Sequence, residues 1–387
     1  MPISNQYYFN QSLPLLQAAE DLQLAILEEL RRINNRLIVD PDYDGERRLI
    51  SFTESELEKY DRESQAWILA TLPAAYMRGI SVQDSELSRI LQNVNQPDSP
   101  VPTRQVFSQG GGQISSSARG TIPPKHHTAF GVLEANARQN IRSSFDPILR
   151  SSRDMYRASA VQALAPAFRT GDTATRRELS QRVLNELSKR GVAGIVYADG
   201  SRRELTSYAE MVGRSAVQRT SQQASLNRLQ ERGYDLVRVN AYAGASDLCD
   251  PWQGRVYSLS GSSDQYPAFE DAQFDGNTGL FHPNCGHAQA PYIPGVSEAI
   301  EMSTDPAEEK ILRQMGEKRG NRFIYQQSQR QRQIERNIRN FKKRKAVALD
   351  PKERARADRF IKKWQGEARE HIKQNPFLRR AYAREQI

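Results

Sequence analysis

Two short stretches hold every cysteine of the chain, and they constrain its fold more than any other feature. Leu248-Cys249-Asp250-Pro251-Trp252-Gln253-Gly254 is answered further on by Phe281-His282-Pro283-Asn284-Cys285-Gly286-His287. Both cysteines and two of the five histidines lie here. Thiolate and imidazole are the side chains that hold zinc, and a closed structural site needs four such groups. Cys285 and His287 are two apart, so on an extended segment they point to one side. His282 and Cys285 bracket a tight turn, which Pro283 stiffens by fixing its own φ. Cys249 closes the set from a distant loop. The expectation is a structural zinc clasp of Cys249, His282, Cys285 and His287. On the residues alone two other readings stay open, an unmetallated buried cluster and a disulfide between the cysteines. A Cys–His catalytic pair would also need an orienting partner and an oxyanion donor. No recognisable set of these is present, so no catalytic residue is expected.

Apolar residues make up 38% of the chain, below the ~45–50% of an ordinary globule. Much of the chain is therefore expected to lie against a partner or solvent. The net charge of +9 is unevenly placed, because residues 301–387 hold 24 Lys/Arg and 12 Asp/Glu. Such asymmetry marks a basic arm. Within it Lys342, Lys343, Arg344, Lys345, Lys362 and Lys363 are candidate contacts to a phosphate backbone, weighed against ordinary solvated helix faces. No apolar run approaches the ~18 residues of a membrane span, so none is expected. Met1-Pro2-Ile3-Ser4-Asn5-Gln6 has no basic segment leading into an apolar core, so no secretory signal is expected and a reducing cytosol is the predicted site of synthesis.

Apolar periodicity predicts a long helix from about Gln11 to Leu37, a second from Thr53 through Leu72, and a short one from Asp84 to about Val94. Gly110-Gly111-Gly112, Ser115 to Ser117 and Pro123-Pro124 mark a linker. Helical pattern resumes from Thr128 to Ala165 and from Thr173 to Lys189. Asp199-Gly200 between two short apolar runs predicts a hairpin. Thr206 opens another helix, and Asp235 to Ala241 and Arg255 to Gly261 alternate as strands. His126-His127 reads as surface or helix-start chemistry. The predicted fold is mainly α with a small α+β core domain and long helical extensions at both ends. Its expected regions are an N-terminal helical part (1–94), a Gly/Ser/Pro-rich linker (95–125), a helical connector (126–165), the α+β core with the clasp (166–295), and the basic helical arm (296–387).

Ala243-Gly244-Ala245-Ser246-Asp247-Leu248-Cys249, the run from Pro251-Trp252-Gln253-Gly254 to Gly261, and His282-Pro283-Asn284-Cys285-Gly286-His287 carry a resemblance. Together they resemble the minor capsid proteins of tailed bacteriophages, the minor capsid protein 2 group, which is similar in turn to Mu-F-like head morphogenesis proteins. Thr206 to Arg214 is similar to the group's helix entry, and the resemblance runs from about residue 130 onward. Gly286 stands where much of the group has arginine. The resemblance implies a low-copy structural protein of the virion, inside the phage head near the portal vertex and without enzymatic activity. The partners it implies are portal protein, major capsid protein and packaged double-stranded DNA. A non-sequence-specific nucleic-acid-binding protein with a structural zinc site is the alternative. Against it, the clasp loops lack a basic, aromatic-bearing reading helix. A cysteine or metal-dependent hydrolase would need clustered carboxylates near His282 or a nucleophile elbow, and has neither.

Overall fold

The computed structural model describes residues 3–94, 121–164, 176–241, 244–273, 275–276, 278–283, 285–297 and 320–386, with a few positions between 310 and 317. As the periodicity predicts, the fold is mainly helical with a small α+β part. The helices are α1 (Asn5–Val39), α2 (Gly45–Val94), α3 (His127–Arg142), α4 (Phe145–Leu164), α5 (Arg176–Arg190), α6 (Leu205–Glu231), α7 (Asn321–Ala346) and α8 (Pro351–Gln374). The strands are β1 (Ala193–Val196), β2 (Arg202–Glu204), β3 (Leu236–Val239), β4 (Val256–Ser258) and β5 (Gln289–Pro291). No helix among the described residues is long and apolar enough to cross a membrane.

Packing divides the chain into two compact units. One gathers Met1–Ser12, Ile68–Ala137 and Gly213–Gln326; the other gathers Leu13–Trp67, Arg138–Val212 and Gln327–Ile387. This differs from the expected succession of regions along the chain, because α1, α2, α3, α6 and α7 each give residues to both units. Of the expected 95–125 linker, residues 95–120 lie outside the described residues.

In the unit that includes Leu13–Trp67, the predicted stripe of α1 is buried, with Leu15, Ile26, Leu27 and Leu30 fully so. Asn34 Nδ2 donates to Ser159 Oγ on α4 at 3.0 Å, so this helix is covered by the chain's own later helices. One helix expected over 128–165 is two. Asp146-Pro147 opens α4, because proline lacks the N–H that a first turn leaves unpaired and suits that position. Asp199-Gly200 makes the predicted hairpin of β1 and β2, with Gly200 at φ 79° and Tyr197 N–H donating to Ser201 O at 2.9 Å. Farther on, α7 and α8 bury Ile334, Ile338 and Ala368 beside Trp364.

In the unit that holds the clasp, α2 and α6 meet closely at Gly79. A Cβ there would collide with the backbone carbonyl of Ser221, so only glycine permits this approach. Beside it Gln83 accepts from Ser225 Oγ at 2.6 Å, and Arg228 donates to both oxygens of Asp84, at 2.8 and 3.0 Å. Asp84 therefore sits inside a continuous α2 and does not open a separate helix. The three-stranded sheet has the order β4-β3-β5, antiparallel throughout. Val237 and Val239 on β3 are buried with Leu87, Ile90, Leu229, Tyr257, Leu280 and Ile293, which is the alternation expected of a strand with one covered face. Strand β5 is not legible in Gln289-Ala290-Pro291, where proline removes a donor.

Candidate metal centre

Cys249 leaves the turn after β3, and its N–H donates to Ser246 O at 3.0 Å. Asp250–Trp252 then form a single 3-10 turn whose second residue is proline, which lacks the N–H that a first turn leaves unpaired. Two hydrogen bonds fasten this loop to the second: Trp252 Nε1 donates to Thr278 Oγ1 at 3.0 Å, and Thr278 Oγ1 donates to Leu248 O at 2.9 Å. The second loop enters through Phe281, the only described non-glycine residue with positive φ, at 60°. Cys285 N–H donates to His282 O at 2.9 Å, closing the predicted turn.

The ligand atoms of Cys249, Cys285 and His287 all lie within 4.8 Å of one another, and all three residues are buried. His282 joins at the edge of this group, its Nε2 3.2 Å from Cys249 Sγ. Cys285 Sγ is 3.3 Å from His287 Nδ1. Both cysteines are free thiols.

The outer contacts fix which ring nitrogen is bare. His282 Nδ1 is 2.9 Å from Pro283 O. A carbonyl can only accept, so Nδ1 carries the proton and Nε2 presents its lone pair to Cys249. Gln253 Nε2 donates to Asp250 Oδ1 at 2.8 Å, which turns Gln253 Oε1 toward His287 Nε2 at 2.8 Å. His287 therefore donates from Nε2 and keeps Nδ1 bare beside Cys285. Metal-bound histidines are held in this way, the second nitrogen donating to a carbonyl or carboxylate. Helix α6 anchors the loop backbone from behind: Gln218 Nε2 donates to Cys285 O at 3.1 Å, and Gln222 Nε2 to His287 O at 3.2 Å.

The two sulfurs ionise as a pair. A hydrogen bond from Cys285 is the largest influence on Cys249, which is held far below the ordinary thiol range even though burial opposes this; a bond from Ser246 adds to it. The bond to Cys249 and then burial push Cys285 the other way. The bond to Cys249 raises His282. The two sulfurs and His287 thus share one buried space with His282 at its edge, and a dication would let both thiols ionise. The donor set fits a structural zinc ion.

Gln253, Asp250, Gln218 and Gln222 were not among the residues singled out in the sequence. Only the nearness of Asp250 and Gln253 to Cys249 could have pointed to them. At position 286 a Cβ would stand 3.3 Å from Asn5 Nδ2. Asn5 Oδ1 accepts from Arg214 Nη2 at 2.6 Å, so a guanidinium reaches this corner from α6.

The phage minor capsid protein 2 family matches residues 53–373. The chain belongs to that family. A relative, described as a structural protein of Lactococcus phage LL-H, is 24% identical over 345 residues, covering 87% of this chain and 85% of its own length. No solved structure matches. The family match extends farther toward the N-terminus than the clasp and its neighbours alone suggest, taking in most of α2.

The basic residues of this minor capsid protein are placed unequally. Lys343 is fully buried and pairs with Glu204 at 2.6 Å, which removes it from any phosphate backbone. Lys345 pairs with Asp358 at 2.6 Å, Lys342 donates to Gln386 Oε1 at 2.6 Å, and Arg344 lies over the ring of Phe341 at 5.1 Å. Lys362 and Lys363 on α8 are exposed. Of the histidine pair, His127 is exposed at the start of α3, while His126 is buried edge-on to Tyr76 with ring centroids 5.7 Å apart. Burial pushes His126 below its ordinary value, against the pull of Glu231.

Proposed function

We propose that this minor capsid protein is an internal structural part of a tailed-phage head, seated near the portal vertex. There it contacts portal and major capsid protein and presents α8 to packaged double-stranded DNA. Cys249, His282, Cys285 and His287 would hold one zinc ion, whose chemistry is to tie the two loops together; the role is structural and not catalytic. The observation that carries the virion reading is the family match across residues 53–373. The DNA-facing part is supported by the exposed face of α8, where Arg359, Lys362, Lys363, Arg369 and Lys373 all reach solvent. Contacts of this kind neutralise phosphates without reading sequence.

Two measurements test it. Protein inventory and cross-linking of purified particles, before and after DNA release, should find this chain in the head with cross-links to portal protein. Absence from the particle, or cross-links to tail proteins alone, would sink the reading. Binding of the full chain to a random duplex should weaken with salt. Lys362→Gln/Lys363→Gln should lower the slope of log K against log salt by about 2, since each phosphate contact accounts for ~0.9. An unchanged slope would mean that α8 faces something other than DNA.

A further inference from the structure

Of the adjacent histidines only His126 is buried, and neither the clasp nor the exposed lysines of α8 accounts for it. Pro124–His126 form a 3-10 turn directly ahead of α3, with His126 N–H donating to Pro123 O at 2.8 Å. The His126 ring lies edge-on to Tyr76 of α2, and Phe130 of α3 meets the same tyrosine edge-on with centroids 5.5 Å apart. Ile122, Phe130 and Leu133 pack against the cluster of Tyr76, Ile80 and Ala224. The ring is thus a peg by which the chain entering α3 sits on α2 and α6.

Its slot has no place for a charge. His126 Nδ1 is buried without a hydrogen-bond partner, and Nε2 is 3.9 Å from Glu231 Oε2, beyond hydrogen-bond reach. That oxygen already accepts from Arg228 Nη1 at 2.7 Å. Asp84 on α2 takes Arg228 and, at 3.7 Å, Arg232. Two carboxylates therefore face two guanidiniums, and the turn itself adds another cation, the exposed Lys125. The remaining polar neighbour, the Tyr76 hydroxyl, accepts from Asn227 Nδ2 at 2.9 Å. A proton on His126 would bring a further positive charge with no anion of its own, in a place where water cannot solvate it. Burial is the main force holding His126 below its ordinary value; Glu231 opposes it, and Arg228 and Lys125 assist.

We infer that His126 is a pH-operated latch: the neutral ring seats the start of α3 on α2 and α6, and the protonated ring leaves its slot. A released ring binds its proton at the ordinary value of 6.5, whereas the seated ring resists it. Docking is therefore full above that value and is lost as the pH falls through it.

Hydrogen exchange of the full chain tests this, read over residues 122–133 as protection relative to the unfolded chain at the same pH. Protection should fall several-fold between about pH 7.5 and about pH 5.5. His126→Phe keeps an edge-on ring that cannot titrate, and His126→Gln is a neutral variant without the ring. Each should hold one level of protection at both pH values, and the glutamine variant decides if the phenylalanine variant folds poorly. Wild-type protection that ignores pH overturns the proposal. So does an acid loosening that persists in the variants, which would arise from other groups, the clasp histidines among them.

Discussion

The clasp and the Glu204–Lys343 pair both bury groups that water would otherwise hold, and they do it by opposite means. In the clasp the polar groups are soft donors gathered from two short loops, with carbonyl and amide partners that fix each ring. Around Lys343 they are ordinary charges gathered from far along the chain. Glu204 Oε1 accepts from Lys343 Nζ at 2.6 Å and from Gln23 Nε2 at 2.9 Å. Burial lowers Lys343, while the charge of Glu204 opposes this. A site of the first kind asks for an ion from outside; a site of the second neutralises itself. The two regions should therefore fail differently when a partner is removed.

The largest effect belongs to the clasp. Metal analysis of the purified full chain should find about one zinc per molecule, as a closed four-ligand site implies. Cys249→Ser, or a strong chelator, should lower the melting temperature by ~10 °C or more, because binding energy of a structural metal is folding energy. A chain that contains no metal and melts unchanged after Cys249→Ser has a clasp that is only packed core.

The pair around Lys343 should come next. Lys343→Met leaves Glu204 buried opposite an uncharged chain and should cost ~3–5 kcal/mol in chemical denaturation. Adding Glu204→Gln, which keeps an acceptor for Gln23, should recover most of that. Equal losses in single and double variants would show that Lys343 matters through its packing and not its charge.

These two regions also differ in how far the sequence discloses them. Cysteine is so scarce here that two of them with neighbouring histidines could hardly be background, and the spacing of Cys285 and His287 survives folding because it is local. Lys343 carries no such mark. It stands among Lys342, Arg344 and Lys345 and looks like each of them, yet it is the one that is fully buried, because its partner lies 139 positions away. The helical stripe of α1 is legible from its period for the same reason as the clasp. The continuity of α2 through Asp84 was not, since a residue that often starts a helix is here engaged by Arg228. The two interleaved units were hidden because every boundary falls inside a helix.

A smaller effect sharpens the contrast by pH. Glu20 on α1 is buried, and its Oε1 has no hydrogen-bond partner. Burial raises its pKa from 4.5 to about 8, against the opposing pull of Arg339 and Lys342. The folded state therefore holds a proton that the unfolded state releases across that window. Its stability contribution is full below about 4.5 and is lost as pH rises toward 8. Glu20→Gln should flatten this slope and stabilise the protein at pH 8 by about 4 kcal/mol. An unchanged pH–stability curve would mean that Glu20 is solvated in solution.

The smallest effect asks whether the self-neutralised region also leans on local signals. Asp350 precedes α8 in extended conformation, and its Oδ1 accepts from the N–H of Lys352 at 2.8 Å and of Glu353 at 2.9 Å. Pro351 follows at the first helical position, where its missing N–H costs nothing. Asp350→Ala should remove both side-chain bonds and cost about 1 kcal/mol, while Asp350→Asn, which can still accept, should stay within a few tenths. The split between them measures the cap itself, because alanine and asparagine both remove the charge that favours a helix N-terminus. Equal losses would assign the effect to that charge. No loss in either would mean that Gln181, whose Oε1 accepts from Leu349 N–H at 2.6 Å, already fixes this turn from α5 without the cap.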